Sequence, residues 1–333
     1  MHVLKLYISA STACCNGAGM TKKNKLYLIV LLLIFALIVF EARVGNAESN
    51  EPNRDIVRLA FSSKLLNDAN YADAQAALEL WIREFSSSST LKVQSKPLIF
   101  ENLQSLETAL KSGEVNVVGF PVTDYLKIKD KALLEPSLVA VRKGSADGER
   151  LVLIVRKDRR ISDISELKGK KLLVHQGYMV DAAYLWLDTL LDRKHLPTSE
   201  RFFGSVREVK KVPGTVLPLF FNQADAALVN KNAFETMVDL NPQLGEKLTI
   251  LSVSDKLVYG IFCMSKGLTE NSKKLMIQNA LIMHKMTIGK QILTLFQIDD
   301  VIPFKPHLLD PTIELFNKAA RRQGNEVVRR RDQ

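Results

Sequence analysis

The 333-residue chain contains few cysteines and none of the short motifs that mark common catalytic sites. Of its three cysteines, only Cys263 lies beyond the first 47 residues, which excludes an internal disulfide in the remainder. Cys263 lies in the apolar stretch YGIFCM, a setting that favours a buried, inert thiol over a nucleophile. Nucleophile-elbow, phosphate-loop, dinucleotide and zinc-protease motifs are absent, and the five histidines lack metal-ligand spacing. We therefore predict no enzyme activity, no catalytic residue, no metal and no cofactor.

Aromatic residues make up only 7% of the chain, and its basic character does not indicate nucleic-acid binding. Residues 1–47 carry five basic side chains and one acidic, which leaves 41 basic and 35 acidic, a net charge of +6, for the rest. The basic runs Arg321-Arg322 and Arg329-Arg330-Arg331 lack the interleaved aromatic residues that stack on bases. We interpret residues 323–333 as a solvated basic tail and expect no nucleic-acid partner.

One long apolar run, residues 26–40, follows a lysine-rich stretch and precedes the small residues around Gly45 and Ala47. As a helix it would span about 22 Å, less than the ~30 Å hydrocarbon core of a bilayer. This order is typical of a signal peptide, which we place at residues 20–47. The chain is therefore predicted to be exported to the periplasm. An uncleaved membrane anchor is the alternative.

The start of the chain follows from that assignment. Met20 stands where a signal peptide would begin, so residues 1–19 are interpreted as an over-called start. Residues 48–56 are polar and are interpreted as a linker to the folded part.

The remaining chain alternates apolar strands with amphipathic helices, which predicts two α/β lobes. The first part of it has a βαβαβ order. Its elements are a strand at residues 57–61, a helix through Trp81, the strand LKVQSKPL, a helix ended by Gly113 and the buried strand NVVGFPV. This order favours parallel strands with helical crossovers. About 286 residues exceed what one core usually serves, so a second lobe is expected.

The lobe boundaries are predicted from where the pattern repeats. We assign residues 57–146 and 252–322 to lobe 1 and residues 147–251 to lobe 2. The stretches LTILSVS and LVYGIFCMS are expected to return the chain to lobe 1, and residues 272–288 to form one helix.

Four segments resemble the substrate-binding proteins of phosphate, phosphite and phosphonate ABC importers, the phosphonate-binding-protein-like branch of the type 2 periplasmic binding fold. They are GEVNVVGFPVTDYL (113–126), ISELKGKKLLVHQG (164–177), LPLFFNQADAALVNKNAFETMVDLNPQLGEKL (217–248) and FQIDDVIPFKP (296–306). The resemblance spans roughly residues 57–320. It implies two α/β lobes joined by two crossing strands, with a ligand held in the cleft between them.

One part of the family pattern is missing. Phosphonate binders of the family carry a hydroxyl-rich run at the amino end of the second-lobe helix, whereas this chain has HQGYMVD at 175–181. Asp181 looks like a helix cap, and its carboxylate would oppose a bound anion. Asn230 stands where the family often has Asp. The resemblance therefore implies the scaffold more firmly than the substrate.

Polar residues that follow predicted strands are the candidate ligand-binding residues, because ligands of such folds sit beyond the carboxyl ends of parallel strands. They are Ser62, Ser63, Thr123, Tyr125, His175, Gln176, Gly177, Tyr178, Asn230 and Lys231. Each has a structural alternative: a turn or cap for the serines, a packed aromatic for Tyr125, a core histidine for His175 and a solvated side chain for Lys231.

The resemblance implies an exported, monomeric solute-binding protein that captures a small anionic ligand of the phosphate or phosphonate type. It would deliver this ligand to the permease of an ABC importer. One alternative is a ligand sensor that docks on a membrane signalling receptor, a histidine kinase or a cyclase. A less favoured alternative is an enzyme on the same scaffold.

Overall fold

The computed structural model describes residues 56–66, 70–88, 90–128, 130–142, 145 and 148–331, and the structural statements below concern these residues. The predicted signal peptide, the residues before it and nearly all of the linker lie outside the described part. Within the described residues, every helix is too short or too polar to cross a membrane.

Thirteen strands are described. In chain order they are β1 (Ile56–Val57), β2 (Leu59–Ser62), β3 (Lys92–Val93), β4 (Leu98–Phe100), β5 (Val117–Pro121), β6 (Leu134–Val141), β7 (Leu151–Arg156), β8 (Lys171–His175), β9 (Ser205–Val209), β10 (Ala226–Asn230), β11 (Leu248–Val253), β12 (Gly260–Ser265) and β13 (Asp300–Pro303).

Eleven α-helices are described among the same residues. They are α1 (Tyr71–Ser88), α2 (Leu103–Ser112), α3 (Val122–Lys127), α4 (Val180–Asp192), α5 (Ser199–Phe202), α6 (Val212–Phe220), α7 (Lys231–Leu240), α8 (Pro242–Lys247), α9 (Glu270–Leu281), α10 (Thr287–Leu295) and α11 (Asp310–Arg331). Single 3₁₀ turns cover Ser63–Leu65, Lys131–Leu133, Lys157–Arg159, Ile164–Leu167, Met283–Lys285 and Pro306–Leu309.

The strands form two main sheets, one for each lobe. The first sheet has the order β13-β6-β12-β5-β2-β4, and the second has the order β11-β7-β10-β8-β9. In the first sheet β2 pairs in parallel with both β4 and β5, which confirms the predicted crossovers. In the second sheet β8 pairs in parallel with β9 and β10. The fold is therefore the predicted two-lobed α/β fold.

Both faces of each sheet are covered by apolar side chains. Along β5, Val117 belongs to one hydrophobic cluster, while Val118 and Phe120 belong to another on the opposite face. Along β7, Leu153 and Ile154 likewise point into different clusters. Strands buried on both faces read as continuous apolar runs, which is the pattern that predicted them.

Two segments cross between the lobes. The first crossing segment, of which residues 142, 145 and 148–150 are described, leads from β6 to β7. The second crossing segment, residues 254–259, leads from β11 to β12. They pair with each other, since the Glu149 N–H donates to the Leu257 carbonyl at 2.9 Å and the Leu257 N–H donates back at 2.8 Å. The lobes are thus joined by a paired hinge.

Three of the sequence predictions are wrong in detail. The stretch LKVQSKPL is two short strands, β3 and β4, separated by Pro97, which lacks the N–H that a ladder needs. β11 pairs with β7, so LTILSVS stays in the second sheet and only residues 254–259 return the chain to the first. The predicted tail continues as helix, because α11 runs to Arg331.

The single helix predicted at residues 272–288 is also wrong, because a turn divides it. α9 ends at Leu281, and the extended backbone of Met286 separates it from α10. The turn packs so close to α10 that a Cβ at Gly289 would lie 2.1 Å from the Met283 carbonyl oxygen. The lobe boundaries given above stay a prediction.

Candidate ligand crevice

A crevice of about 280 Å³, lined by both polar and apolar groups, lies where the ends of the two sheets face each other. Its lining comes from both lobes: Lys64, Pro121, Thr123, Gln176, Gly177, Tyr178, Val180, Asp181 and Lys210. These residues follow β2, β5, β8 and β9, which run parallel within their own sheets. The carboxyl ends of parallel strands thus supply the walls, as they do in open α/β folds that bind ligands.

The turn after β8 brings the backbone into the crevice. The Gly177 N–H donates to the His175 carbonyl at 2.9 Å, and the Val180 N–H donates to the Gly177 carbonyl at 3.0 Å, which starts α4. A Cβ at Gly177 would lie 2.6 Å from Cε1 of the His175 ring. Glycine is therefore required at this position unless the His175 ring moves.

An ionic cluster of four side chains, Lys64, Asp124, Lys127 and Asp181, joins the lobes beside the crevice. The Lys64 ammonium donates to Asp124 Oδ1 at 3.0 Å in its own lobe and to Asp181 Oδ2 at 3.1 Å in the other lobe. Lys127 Nζ lies 3.6 Å from Asp181 Oδ2 and 3.9 Å from Asp124 Oδ1. Each carboxylate is therefore shared by two ammonium groups.

Burial and hydrogen bonding act in opposite directions on Lys64. Partial burial lowers the pKa of its ammonium group, while hydrogen bonds and charge attraction from Asp124 and Asp181 raise it. The attraction prevails, so the pKa of Lys64 is raised above its ordinary value. Lys64 is therefore a cation throughout the neutral range.

The Tyr178 hydroxyl points away from the crevice toward the hinge. It lies 2.9 Å from each carboxylate oxygen of Glu149, which is a buried residue of the first crossing segment. Burial, and next the Glu149 charge, raise the pKa of Tyr178 well above its ordinary value. The hydroxyl therefore stays protonated and donates a hydrogen bond to the carboxylate. Tyr178 also lines the crevice.

Four of the ten predicted residues lie together on the crevice wall: Thr123, Gln176, Gly177 and Tyr178. His175 lies behind them, with its ring Nε2 at 3.2 Å from the Lys210 carbonyl oxygen. That Tyr178 and its neighbours bind a ligand stays a prediction.

The other five predicted residues are not part of the crevice wall, and each has a structural contact of its own. The Ser62 hydroxyl accepts from the Lys64 N–H at 3.4 Å, with Ser63 beginning the turn that it caps. Tyr125 stacks on Phe120 with ring centroids 6.0 Å apart. Asn230 donates to Glu149 Oε2 at 2.7 Å and caps α7. Lys231 pairs with Glu235 one turn along the same helix.

The sequence interpretation missed Lys64 and Lys210 as wall residues. Lys64 follows Ser62 and Ser63 directly, and Lys210 follows β9 as Gln176 to Tyr178 follow β8. Because β8 and β9 are parallel neighbours, their carboxyl ends meet at one edge. Knowledge of the strand order would have identified Lys210.

Asp181 differs from its predicted role. The amino-terminal cap of α4 is Met179, without a side-chain hydrogen bond, and Asp181 lies in the first helical turn. Its carboxylate instead accepts from Lys64 of the other lobe. An interlobe ammonium group thus replaces the backbone N–H groups as its partner.

The described residues contain no cluster of three or more histidine, cysteine, aspartate or glutamate side chains that could hold a metal ion. The crevice wall presents lysine, hydroxyl, amide and backbone groups. A two-lobed α/β fold with two crossing segments and a crevice between the lobes is the architecture of periplasmic binding proteins.

The chain belongs to the family of periplasmic substrate-binding proteins of phosphonate ABC transporters, whose model matches residues 68–309. This confirms the resemblance seen in the sequence. No curated protein sequence gives a significant match.

Several solved structures share the fold. Protein XAC2383 of Xanthomonas citri, solved with chloride, is 14% identical with a TM-score of 0.57, and the match covers 81% of this chain and 99% of that one. PhnD1 of Prochlorococcus marinus, solved with methylphosphonate, is 16% identical with a TM-score of 0.52 over 80% and 99% of the two chains. A binding-protein component of a phosphonate ABC transporter from Pseudomonas aeruginosa is 12% identical with a TM-score of 0.52, and the match covers 78% of this chain and 85% of that one.

Proposed function

We propose that this protein is an exported solute-binding protein that captures a small anionic ligand of the phosphate or phosphonate type. It delivers this ligand to the permease of an ABC importer and does not transform it. Family membership supports the transport role. The lysine-bearing crevice between the lobes supports the choice of an anion.

The charge of the crevice carries this proposal. Lys64 and Lys210 line it, and Lys127 stands beside it in the ionic cluster, while Asp124 and Asp181 supply two negative charges. Three ammonium groups against two carboxylates leave one net positive charge at the crevice. An anion of one net negative charge would neutralise it, with Thr123 and the Gln176 amide as added donors.

The size of the crevice sets the size of the ligand. Pockets for drug-sized ligands enclose roughly 300–1,000 Å³. The volume of about 280 Å³ lies just below that range and favours a compact ligand such as phosphate, phosphite or an alkylphosphonate. Closure of the lobes about the paired hinge would bury such a ligand from both sides.

The proposal is tested by titrating phosphate, phosphite and methylphosphonate into the purified protein while measuring heat and melting temperature. We expect one or two of these anions to bind, and a ligand at 100 times its Kd adds about 2.7 kcal/mol to stability. Lys64→Met should weaken binding about tenfold, because a charge-assisted hydrogen bond is lost. Lys290→Met, which removes an exposed charge on α10, is the matched control.

Three outcomes would count against the proposal. If none of the anions binds while an unrelated metabolite copurifies with the protein in native mass spectrometry, the anionic ligand class is wrong. If Lys64→Met binds the anion as tightly as wild type and the control Lys290→Met do, the crevice is not the site. If the bound compound is recovered chemically changed, the protein is an enzyme.

A further inference from the structure

We propose that Tyr178 is a positioning residue that couples ligand occupancy of the crevice to the hinge between the lobes. The inference rests on the proposed function, because it requires a ligand in the crevice. It assigns Tyr178 a task other than donating its hydroxyl to that ligand.

The hinge end of this coupling is Glu149. Its backbone pairs with Leu257, so this one residue ties the first crossing segment to the second. Its buried carboxylate accepts from the Tyr178 hydroxyl and from Asn230 Nδ2, and Arg142 Nε lies 3.4 Å from Oε1. Asn230 Nδ2 also lies 3.1 Å from the Tyr178 hydroxyl oxygen. Tyr178 and Asn230 belong to lobe 2, so a movement of that lobe acts directly on the hinge carboxylate.

The aromatic ring of Tyr178 contacts the crossing segments as well. Its centroid lies 4.3 Å from that of Tyr259 in the second crossing segment. The Arg142 guanidinium carbon of the first crossing segment lies 4.7 Å from the same centroid. The Tyr259 hydroxyl in turn donates to the Phe296 carbonyl of lobe 1 at 3.3 Å. Through its ring and hydroxyl together, Tyr178 reaches both crossing segments, and through Tyr259 it reaches lobe 1.

The crevice end of the coupling is the wall itself. Tyr178 follows Gly177 in the turn that begins α4, between Gln176 and Asp181 on the same wall. A ligand that settles against this wall fixes the turn, and the turn carries the ring and hydroxyl that hold Glu149. The contacts of Tyr178 with the hinge therefore differ between the ligand-bound and the ligand-free protein, and no other residue is needed to transmit this difference.

Tyr178→Phe tests the coupling, because it keeps the ring on the wall and removes only the hydroxyl. Hydrogen exchange of residues 254–259 is measured with and without methylphosphonate. We expect exchange there to be about tenfold faster than in wild type without ligand, because a hydrogen bond to a charged group is lost. We also expect methylphosphonate to protect these residues in wild type but not in the variant.

Tyr184→Phe is the matched control, since it removes a hydroxyl from α4, the helix that follows Tyr178, and this hydroxyl is hydrogen-bonded to Glu208 and not to Glu149. It should leave exchange at residues 254–259 unchanged. If Tyr178→Phe does not fold, Glu149→Gln, which removes the hinge charge and keeps the side-chain shape, is measured in its place with the same expectation.

The readouts separate this inference from the proposed function. Heat of methylphosphonate binding to wild type reports on the ligand alone. The inference is overturned if exchange at residues 254–259 in the variant equals that of wild type without ligand. It is also overturned if methylphosphonate protects these residues equally in both proteins.

Discussion

Arg322 donates to the Leu196 carbonyl across the two lobes, with Nη2 at 2.5 Å from the oxygen. Its Nη1 donates to the Asp188 carbonyl of α4 at 2.7 Å, so the guanidinium binds both α4 and the segment that follows this helix. α11, which carries Arg322, follows β13 and the core residues Leu308 and Leu309 of the first lobe. The last helix therefore ties the first lobe to the second.

Replacing Arg322 by Gln should open the ligand-free protein. Hydrogen bonds from a charged group contribute roughly 1.5–3 kcal/mol, so losing two of them shifts the balance of open and closed forms by tenfold or more. Small-angle X-ray scattering should show a larger radius of gyration, and ligand dissociation should be faster. Arg321→Gln removes the same charge from an exposed position one residue away and should change neither quantity.

Replacing Asp181 by Asn should strengthen anion binding. The change removes a carboxylate from the crevice wall and frees Lys64 Nζ, which lies 3.1 Å from it, to face the ligand. Since the Asp181 side chain is 36% exposed, solvent screens this pair, and we expect a gain of about fivefold. Titration calorimetry with methylphosphonate measures it. Asp239→Asn, an exposed change of equal charge on α7, is the control, and equal affinities for both variants would contradict the prediction.

The free energy of unfolding should depend on pH through Asp163 and Glu166, two carboxyl groups at the 3₁₀ turn Ile164–Leu167. The Lys194 ammonium, together with hydrogen bonds from Ser165, holds the pKa of Asp163 well below its usual range. Hydrogen bonds from Ser162 and Asp163 lower the pKa of Glu166. Carboxyl groups with lowered pKa values stabilise the fold above their ordinary pKa and lose this effect as the pH falls through the lowered value.

The expected result is a lower melting temperature for Asp163→Ala at neutral pH. The difference from wild type should start to shrink as the pH falls below about 4, where the unfolded chain takes up protons, and should disappear as the pH falls through the lowered pKa of the folded protein. Thermal melts over this range measure it. A difference that stays constant with pH would show that the charge of Asp163 contributes nothing.

Cys263 should resist thiol reagents in the native protein. It lies fully buried in β12, and burial raises the pKa of its thiol far above the ordinary value, so almost no thiolate is present. Mass spectrometry of peptides after alkylation should find Cys263 unmodified until denaturant is added. Rapid alkylation of Cys263 in the native protein would support the alternative that the protein is an enzyme.

Much of the first lobe could be predicted from local patterns. Ala74, Leu78 and Trp81 are buried along one face of α1, as their spacing predicts. Gly113 ends α2 with a φ of 74°, which glycine adopts without a steric penalty. These features depend on neighbours within a few residues, and the sequence displays such neighbours directly.

The candidate site was predicted only in part, because its contacts join distant parts of the chain. The sequence placed Thr123, Gln176 and Tyr178 after strands but not beside Lys64, which reaches Asp181 over 117 residues. It made Tyr178 a candidate ligand-binding residue, whereas the fold directs the Tyr178 hydroxyl to Glu149.

The sequence by itself determined most of the strands, most of the helices and the family, because apolar periodicity, turn residues and local motifs are properties of short segments. The tertiary structure decided which carboxylate meets which ammonium group, how the crossing segments pair and where the last helix docks. Those choices depend on strand order and lobe packing, which place residues such as Arg322 and Leu196 together although the chain separates them by 126 positions.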